Sequence, residues 1–293
     1  MAAELLVTGH SGFVGRRLMR ALEARGYAVC GYSRAAGDIA RDPLPPTETI
    51  RHVFHLAGES FVPESWHSPL PFYRTNVVGT ANVMKFCRDS GATITFVSSY
   101  VYGQPKSLPI REDHAVSAAN PYAHSKILAE EIVRFYAEMW NVTATILRPF
   151  NLYGPGQDRR FVIPTLVAKA LDPTSEYIEI ADERPKRDFL YVDDFIELLV
   201  ATISRPGGIC NAGCGSSVSV AHLADMICQQ AGVKKRVVSR NESRPNEILD
   251  VVADVSRASH VYGWVPHTSL QEGLAATLQA YGQSLSLTPV ASR

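Results

Sequence analysis

The sequence predicts an α/β fold built on a doubly wound parallel sheet. Through the first half of the chain, short apolar runs alternate with longer segments of helical periodicity. Strands that are apolar throughout and separated by helices pair in parallel, and right-handed crossovers place the helices on both faces of the sheet. A glycine-rich turn between the first apolar run and the first helix supports the same fold.

The predicted elements follow from these runs in chain order. Strands are predicted at residues 5–7, 28–32, 52–56, 93–97 and 143–147, and helices at residues 12–25, 72–89 and 122–140. After Pro149, glycine and proline become frequent and helical patterns dominate. We therefore predict that residues 1–150 form the sheet domain and residues 151–293 a smaller second domain. Residues 187–212 are predicted to return to the sheet domain.

The composition argues against several kinds of partner. The chain has 293 residues, of which 46% are hydrophobic and 20% charged, and its formal net charge is zero. This balance is typical of a globular protein and predicts no nucleic-acid partner. We expect no membrane span and no signal peptide, and therefore a cytoplasmic protein. The chain has five cysteines and no Cys-x-x-Cys pair, so we expect reduced thiols and predict no metal site.

A glycine-rich turn joins the first predicted strand to the first helix. Glycines at positions 9, 12 and 15 form the pattern Gly-x-x-Gly-x-x-Gly. Such a turn lets the backbone approach a pyrophosphate, and the following helix offers free N–H groups to the anion. Without this strand–helix context, the glycines would indicate only a tight turn. The residues predicted to bind a dinucleotide here are Gly9, Ser11, Gly12, Phe13, Val14 and Gly15.

Three later segments are predicted to line the same cofactor. Ser33 and Arg34 follow the second strand, where an NAD-binding protein would carry a carboxylate for the adenosine ribose. A guanidinium can neutralise a 2′-phosphate, so Arg34 favours NADP over NAD; the alternative is an exposed loop arginine. Asp38 and Ile39 are predicted near the adenine. The backbone that the cofactor passes after the third strand is formed by Leu56, Ala57 and Gly58.

Tyr122 and Lys126 stand four residues apart at the start of a predicted helix and therefore share one face. A free phenol has a pKa of about 10, and a nearby ammonium favours the phenolate. Tyr122 is thus predicted to exchange a proton with a sugar hydroxyl while the nicotinamide exchanges a hydride. Ser98, at the carboxyl end of the fourth strand, is predicted to hydrogen-bond the reacting oxygen. The alternative is an exposed helix face and an ordinary loop serine.

With these motifs in order, the chain resembles the extended short-chain dehydrogenase/reductases, the NAD-dependent epimerase/dehydratase group acting on nucleotide-sugars. The resemblance implies a Rossmann fold, NADP or NAD as cofactor and a nucleotide-sugar substrate. In relatives, the helices matching residues 72–89 and 122–140 pair across a homodimer, which we expect here; the alternative is that both faces pack within the monomer. The segments that carry the resemblance are residues 8–15, 55–58, 76–80, 98–103, 122–126, 148–155, 187–194 and 263–266.

The resemblance also implies roles that spacing alone does not assign. Ser98, four residues before Tyr102, matches the family's catalytic serine or threonine, and Asn76 matches an asparagine that supports the active-site helix. Because it is implied to support the active-site helix, Asn76 is predicted to belong to the cofactor site. The residues implied to contact the substrate are Ser98, Ser99, Tyr100, Asn151, Arg187, Arg244 and Glu247.

Two of these residues, Arg187 and Arg244, match arginines that clamp the pyrophosphate of the substrate. The planar fork of a guanidinium suits phosphate oxygens. The alternative for Arg187 is a salt bridge to Asp188 or Asp193, and the alternative for Arg244 is a surface loop. Glu247 is expected to hold the ribose of the nucleotide.

The positions after the catalytic serine separate activities within the family. Dehydratases carry an Asp-Glu pair there and decarboxylating relatives a glutamate, whereas this chain has Ser99 and Tyr100. A 4-epimerase and a 4-keto-sugar reductase remain. Arg34 and a looser likeness of residues 61–66 and 244–247 to GDP-6-deoxy-4-keto-mannose reductases favour the reductase. A non-catalytic NADP-binding scaffold is a further alternative, which the presence of all three catalytic residues disfavours.

Overall fold

The structure is a computed structural model that describes residues 4–45, 49–243 and 247–286. Its strands are β1 (Leu5–Thr8), β2 (Val29–Tyr32), β3 (His52–His55), β4 (Thr93–Val97), β5 (Ala144–Pro149), β6 (Asn151–Tyr153), β7 (Tyr177–Ile180), β8 (Lys186–Arg187), β9 (Phe189–Tyr191), β10 (Gly208–Ala212), β11 (Val218–Ser219) and β12 (Arg236–Ser239). Its α-helices are α1 (Phe13–Ala24), α2 (Val62–His67), α3 (Pro69–Phe72), α4 (Gly79–Ser90), α5 (Pro121–Trp140), α6 (Val162–Leu171), α7 (Val192–Ala201), α8 (Val220–Ala231), α9 (Ser256–Tyr262) and α10 (Leu270–Ser286).

The central feature is a six-stranded parallel sheet in the order β10-β5-β4-β3-β1-β2. Every residue of β1 and β3 is buried, because helices cover both faces of the sheet. The chain passes from β1 outward to β2 and then crosses to β3 on the other side of β1, so the winding reverses between β1 and β3. The loops that follow these two strands therefore flank the crevice in which doubly wound sheets bind ligands.

The helix predicted at residues 72–89 is divided in the structure. Helix α3 ends at Phe72, Tyr73–Val78 winds as a π-helical turn, and α4 continues from Gly79. A π-helical turn is wider than an α-helical one and changes the facing of the side chains around it. Apolar periodicity does not reveal it, because the flanking residues keep a helical pattern. The turn includes Asn76, which is 1% exposed and faces the loop after β3.

The segment predicted to return to the sheet does so in part. Strand β10 forms the edge of the sheet beside β5, with Ala212 opposite Pro149, so β5 runs to Pro149 rather than stopping at residue 147. Strands β8 and β9 instead pair with β11 and β6 in two small sheets outside the main one.

A further hydrophobic core lies among α6, α8 and α10, around Leu166, Ile227 and Leu274. It is separate from the two cores that cover the faces of the parallel sheet. In the part of the chain that the structure describes, none of the helices combines the length and the apolar character needed to cross a bilayer. The described ranges also hold no cluster of His, Cys, Asp or Glu arranged to bind a metal ion.

Candidate active site

The glycine turn between β1 and α1 leaves no room for side chains. Gly9 has φ +72°, and a Cβ added there would lie 2.8 Å from the backbone nitrogen of Ala57. A Cβ on Gly15 would lie 2.3 Å from the carbonyl oxygen of Gly9. The N-cap of α1 is Gly12, and no side chain caps the helix, so its first N–H groups point into the crevice. This cradle fits the diphosphate of a dinucleotide.

A cavity of about 1520 Å³ opens from the glycine turn along the carboxyl ends of β1, β2 and β3. Its wall contains most of the residues predicted to bind the cofactor. Those that line it are Gly9, Ser11, Gly12, Ser33, Arg34, Asp38, Ile39, Leu56, Ala57 and Gly58. Phe13, Val14 and Gly15 lie in the first turns of α1 behind this wall. The structure thus brings three separate loops together around one elongated ligand site.

Two ion pairs border the adenosine end of this cavity. The guanidinium of Arg34, whose side chain is 80% exposed, pairs with the carboxylate of Glu59. Asp38 pairs with Arg74, and its carboxylate also accepts a hydrogen bond from the backbone nitrogen of Ala40 at 3.0 Å. These contacts hold the pKa of Asp38 below its usual range, the bond from Ala40 having the larger effect. Exposed pairs of this kind exchange partners at little cost.

A buried histidine supports the turn from beneath. The imidazole of His55 is hydrogen-bonded to the hydroxyl of Thr8 at 2.8 Å and to that of Thr80 at 3.0 Å. Thr8 in turn accepts a hydrogen bond from the backbone nitrogen of Ala57 at 3.3 Å. Burial lowers the pKa of His55 to about 3, so its ring is neutral at physiological pH. The end of β1, the end of β3 and the start of α4 are therefore locked together below the cofactor cavity.

Helix α5 places Tyr122 and Lys126 at the edge of the crevice. Its first turn is capped by Asn120, whose side chain accepts a hydrogen bond from the backbone nitrogen of Ala123 at 2.8 Å. The amide of Asn76 donates to the hydroxyl of Ser125 at 2.9 Å and to the carbonyl of Glu59 at 3.1 Å. Asn76 thus joins the catalytic helix to the loop after β3.

Burial changes the pKa values of both Tyr122 and Lys126, an effect that their spacing in the sequence does not reveal. Burial raises the pKa of Tyr122, an effect that the nearby Ser99 hydroxyl partly offsets. Burial also lowers the pKa of Lys126 to about 7, with Glu130 opposing the change. The ammonium donates a hydrogen bond to the carbonyl of Val97 at 2.6 Å. In this structure the phenol is protonated at neutral pH.

The two serines after β4 have different surroundings. The hydroxyl of Ser98 donates to the carboxylate of Glu130 at 2.6 Å, in a fully buried contact. The Oγ of Ser99 is buried without a hydrogen bond to any described residue, and the Ser99 hydroxyl acts on the pKa of Tyr122. Of the two serines, Ser99 is thus the one that lies beside Tyr122, whereas Ser98 is turned towards Glu130.

A buried polar chain continues from Ser98. Glu130 accepts two hydrogen bonds from the guanidinium of Arg148, at 2.9 and 2.6 Å. Arg148 also donates to the phenol of Tyr102 at 3.0 Å, and that phenol donates to the side chain of Asn211 at 2.6 Å. Sequence reasoning missed these roles. For Glu130, the sequence did offer one signal, its position four residues after Lys126 on the same helix face.

On the substrate side, Arg187 pairs with Glu247 rather than with Asp188 or Asp193. Its guanidinium also donates to the carbonyl of Ile248 at 2.7 Å. The side chain of Arg187 is 23% exposed and that of Glu247 is 15% exposed, so the pair is partly desolvated. The structure thus joins two residues that the sequence implicated separately.

Other implied substrate residues lie close by. The amide of Asn151 donates to the carbonyl of Asp188 at 3.0 Å, and the phenol of Tyr100 donates to the carbonyl of Gly103 at 2.5 Å. Tyr100 is near enough to Arg187 for the guanidinium to affect its pKa, although burial dominates and raises it. The second predicted clamp residue, Arg244, lies outside the described residues.

Comparison with known proteins decides the family. A family model described as the NAD dependent epimerase/dehydratase family matches residues 5–213. The chain belongs to this family. The family and the enzyme class that the sequence predicted are thereby confirmed. A nicotinamide dinucleotide as cofactor is confirmed as well, since the family is NAD dependent and the cradle described above fits it.

Curated relatives in the family include more than one activity. The chain is 29% identical to a putative UDP-glucose 4-epimerase of Methanocaldococcus jannaschii, over 92% of this chain and 95% of the relative. It is 31% identical to GDP-6-deoxy-D-mannose reductase of Pseudomonas aeruginosa, over 95% of this chain and 97% of the relative.

Solved structures confirm the doubly wound fold. The protein MoeE5, in complex with UDP-glucose and NAD, is 30% identical and superposes with a TM-score of 0.88 over 97% of this chain and 100% of that one. RMD from Pseudomonas aeruginosa, complexed with NADPH, is 28% identical with a TM-score of 0.87 over 97% of this chain and 100% of that one. The family members compared thus include both NAD and NADPH complexes.

Proposed function

We propose that this family member is an NADPH-dependent reductase of a nucleotide-linked 4-keto-sugar. The observation that carries the proposal is Arg34 on the wall of the cofactor cavity, beyond the end of β2. A carboxylate at this place would repel a 2′-phosphate, whereas an exposed guanidinium can exchange Glu59 for it. The similarity to a GDP-6-deoxy-D-mannose reductase supports the same activity.

The state of Tyr122 supports the direction of the reaction. Reduction of a ketone requires a proton donor at the carbonyl oxygen, and a phenol whose pKa burial has raised holds its proton at neutral pH. When bound, the nicotinamide supplies a hydride to the carbonyl carbon of the sugar. Tyr122 gives its proton to the oxygen, so the ketone becomes a secondary alcohol. Lys126, next along the same helix face, supplies the positive charge that favours the resulting phenolate.

We assign the hydroxyl that orients the reacting oxygen to Ser99 in preference to Ser98. A hydroxyl has a single hydrogen, and that of Ser98 is donated to Glu130. The Oγ of Ser99 is buried beside the phenol of Tyr122, whose pKa its hydroxyl lowers, so it is placed to meet the same reacting oxygen. Ser99→Ala should lower kcat by roughly ten- to a hundredfold, and Ser98→Ala by less. A larger loss in Ser98→Ala would return the role to Ser98.

The experiment that tests the proposed function follows NADPH absorbance during incubation with nucleotide-linked 4-keto-sugars carrying GDP, UDP or dTDP. We expect one NADPH oxidised for each sugar reduced. Tyr122→Phe should lower kcat by roughly 10²–10⁴-fold while NADPH still binds. Absence of turnover across the panel, with NADPH bound, would instead favour the non-catalytic scaffold.

The second candidate is a nucleotide-sugar 4-epimerase. The similarity to a putative UDP-glucose 4-epimerase favours it. An epimerase must first remove a proton from the sugar hydroxyl, so it requires the Tyr122 phenol in its ionised form. Purified protein that retains NAD and interconverts UDP-glucose and UDP-galactose without net consumption of cofactor would identify this activity.

We further propose that two copies associate through α4 and α5. Phe135 and Met139, one turn apart on α5, are 53% and 59% exposed. Exposed apolar side chains grouped on a helix surface are typical of an interface. Sedimentation of the protein and of a Phe135→Glu variant would test this proposal.

We also propose a cytoplasmic location, because all five cysteines are free thiols. We further assign substrate binding to residues 151–293, apart from strand β10, which returns to the main sheet.

A further inference from the structure

Helix α5 carries a third ionisable side chain on the face of Tyr122 and Lys126. Glu130 lies four residues beyond Lys126, so the three side chains follow one another along the same face. Glu130 is fully buried and Lys126 is 6% exposed. The proposed reaction uses the first two groups and leaves Glu130 without a role.

The ammonium of Lys126 is buried with little direct compensation for its charge. It donates to the carbonyl of Val97 at 2.6 Å and lies 4.4 Å from the centre of the Phe96 ring. Neither partner carries a full negative charge, and the ammonium forms no ion pair within the described residues. Burial without a counter-charge disfavours the protonated form. At neutral pH the group is therefore close to losing its proton, as its lowered pKa of about 7 reflects.

The carboxylate of Glu130, by contrast, is held in place by direct hydrogen-bond partners. Arg148 donates two hydrogen bonds to it, at 2.9 and 2.6 Å, and Ser98 donates a third at 2.6 Å. Charge-assisted hydrogen bonds of this kind favour the ionised form of a carboxyl group. A permanent negative charge therefore stands one helical turn from Lys126.

The other titratable groups near Lys126 or its neighbour Glu130 do not supply such a charge. His55, on β3, is neutral because burial lowers its pKa to about 3. Burial also raises the pKa of Tyr122 on α5 and brings that of Tyr102, after β4, to about 12, so both phenols are neutral. Arg148, on β5, is positive. Among the described groups facing Lys126, Glu130 is the one that favours the ammonium.

We propose that Glu130 is a positioning residue that keeps Lys126 protonated through the reaction, by holding a fixed negative charge one helical turn away. The proposal rests on the role that the proposed function gives to Lys126. It predicts that loss of the carboxylate leaves the fold of the cofactor site in place but removes the charge beside Tyr122.

The test measures the pKa of Lys126 directly, by NMR of free protein labelled with ¹³C,¹⁵N-lysine. The chain has seven lysines, and a Lys126→Met variant assigns the signal. Glu130→Gln should lower the pKa of Lys126 by about one unit, roughly tenfold in the protonation equilibrium. The control Glu131→Gln changes the neighbouring residue, which pairs with Arg134 on the exposed side, and should leave the pKa unchanged. An unchanged pKa in Glu130→Gln would overturn the proposal.

A kinetic measurement tests the consequence for the reaction. The high-pH limb of the kcat/KM profile should move to lower pH in Glu130→Gln by the same amount as the NMR pKa. A shifted NMR pKa with an unshifted profile would overturn the catalytic part of the proposal. Because the NMR experiment uses free protein without substrate, failure of the proposed function is distinguished from failure of this inference.

Glu130→Gln removes the carboxylate partner of the buried Arg148, and the variant could fail to fold for that reason. A second variant covers this case. The double variant Glu130→Gln/Arg148→Met replaces the buried ion pair by neutral side chains, a change that is often tolerated. Glu130 is the charged group that raises the pKa of Lys126, so this pKa should still fall. A pKa equal to that of the wild-type protein would again overturn the proposal.

Discussion

The two sides of the active-site crevice are held in their shape by different forces. On the cofactor side the turn between β1 and α1 is a backbone surface, fixed by glycines that admit no side chain and by a neutral histidine below. On the substrate side, Arg187 and Glu247 hold each other, 60 residues apart in the chain. The glycine cradle is thus formed before ligand arrives, whereas we propose that Arg187 exchanges Glu247 for a charged group of the substrate. We expect cofactor affinity to depend on shape and substrate affinity to depend on charge.

The largest effect is expected from filling the cofactor cradle. In Gly15→Ala the added methyl group would lie 2.3 Å from the carbonyl of Gly9, so the turn must open. Overpacking strain of a few kcal/mol corresponds to a loss of NADPH affinity on the order of a hundredfold. Gly282→Ala, in α10, is the matched control, because the added methyl group would meet no atom within 4 Å outside its own helix backbone. Fluorescence titration with NADPH measures the effect, and undiminished binding by a folded Gly15→Ala protein would refute the cradle.

The next largest effect is expected from a substitution that should weaken nucleotide binding on the substrate side but not cofactor binding. Arg187→Ala should weaken binding of free UDP or GDP by roughly ten- to a hundredfold, since a charged hydrogen bond to phosphate contributes about 1.5–3 kcal/mol. NADPH affinity should stay the same. Arg184→Ala removes a nearby arginine that is 58% exposed and paired with Asp182, and it serves as the control. Calorimetry with both ligands measures the change, and an equal loss for both would contradict the division.

A smaller effect concerns the choice between the two dinucleotides. Arg34→Ala should weaken NADPH about tenfold relative to NADH, because the 2′-phosphate loses its cation. Glu59→Gln should have the opposite sign, since it frees the guanidinium from its present partner. Arg51→Ala alters another exposed arginine and should leave the ratio unchanged. If Arg34→Ala binds both cofactors as the parent does, Arg34 is only a surface residue.

The smallest effect is a pH dependence of stability on the cofactor side. Burial lowers the pKa values of His52 and His55 to about 4 and about 3. Well above pH 6.5 both histidines are neutral in the folded and in the unfolded protein, and the full stability is present. As the pH falls towards 3, the histidines of the unfolded protein bind protons while those of the folded protein stay neutral, so stability is lost. At pH 6 the expected loss is below about 1 kcal/mol for each histidine. Urea unfolding at several pH values measures it, and His55→Gln should reduce the slope while the exposed His222→Gln should not.

The sequence predicted those parts of the site that depend on neighbours in the chain. The glycine turn spans a few residues, and Tyr122 and Lys126 occupy one helix face, so both are readable from spacing. The partners of Ser98 and Arg187 could not be read, because Glu130 and Glu247 lie 32 and 60 residues away. Two adjacent serines look alike in sequence, and only the direction of each hydroxyl separates them.

The effect of burial on the pKa of Tyr122 could not be predicted from the sequence, for a related physical reason. Spacing places an ammonium near the phenol but gives no measure of how deeply either group is buried. Desolvation, which depends on the whole fold, raises the pKa of the phenol and lowers that of Lys126. Likewise, the predicted single helix at residues 72–89 is interrupted because tertiary contacts of Asn76 stabilise a wider turn.

Removing one residue from the turn Tyr73–Val78 would let it relax to regular α-helical winding. Every residue before the deletion would then rotate by about 100° around the helix axis and advance by about 1.5 Å. Leu70 and Pro71, which now form part of the cavity wall, would face elsewhere. The width of the cofactor cavity therefore depends on the winding of this turn, and a single-residue insertion or deletion there would reshape the wall without altering the glycine turn after β1.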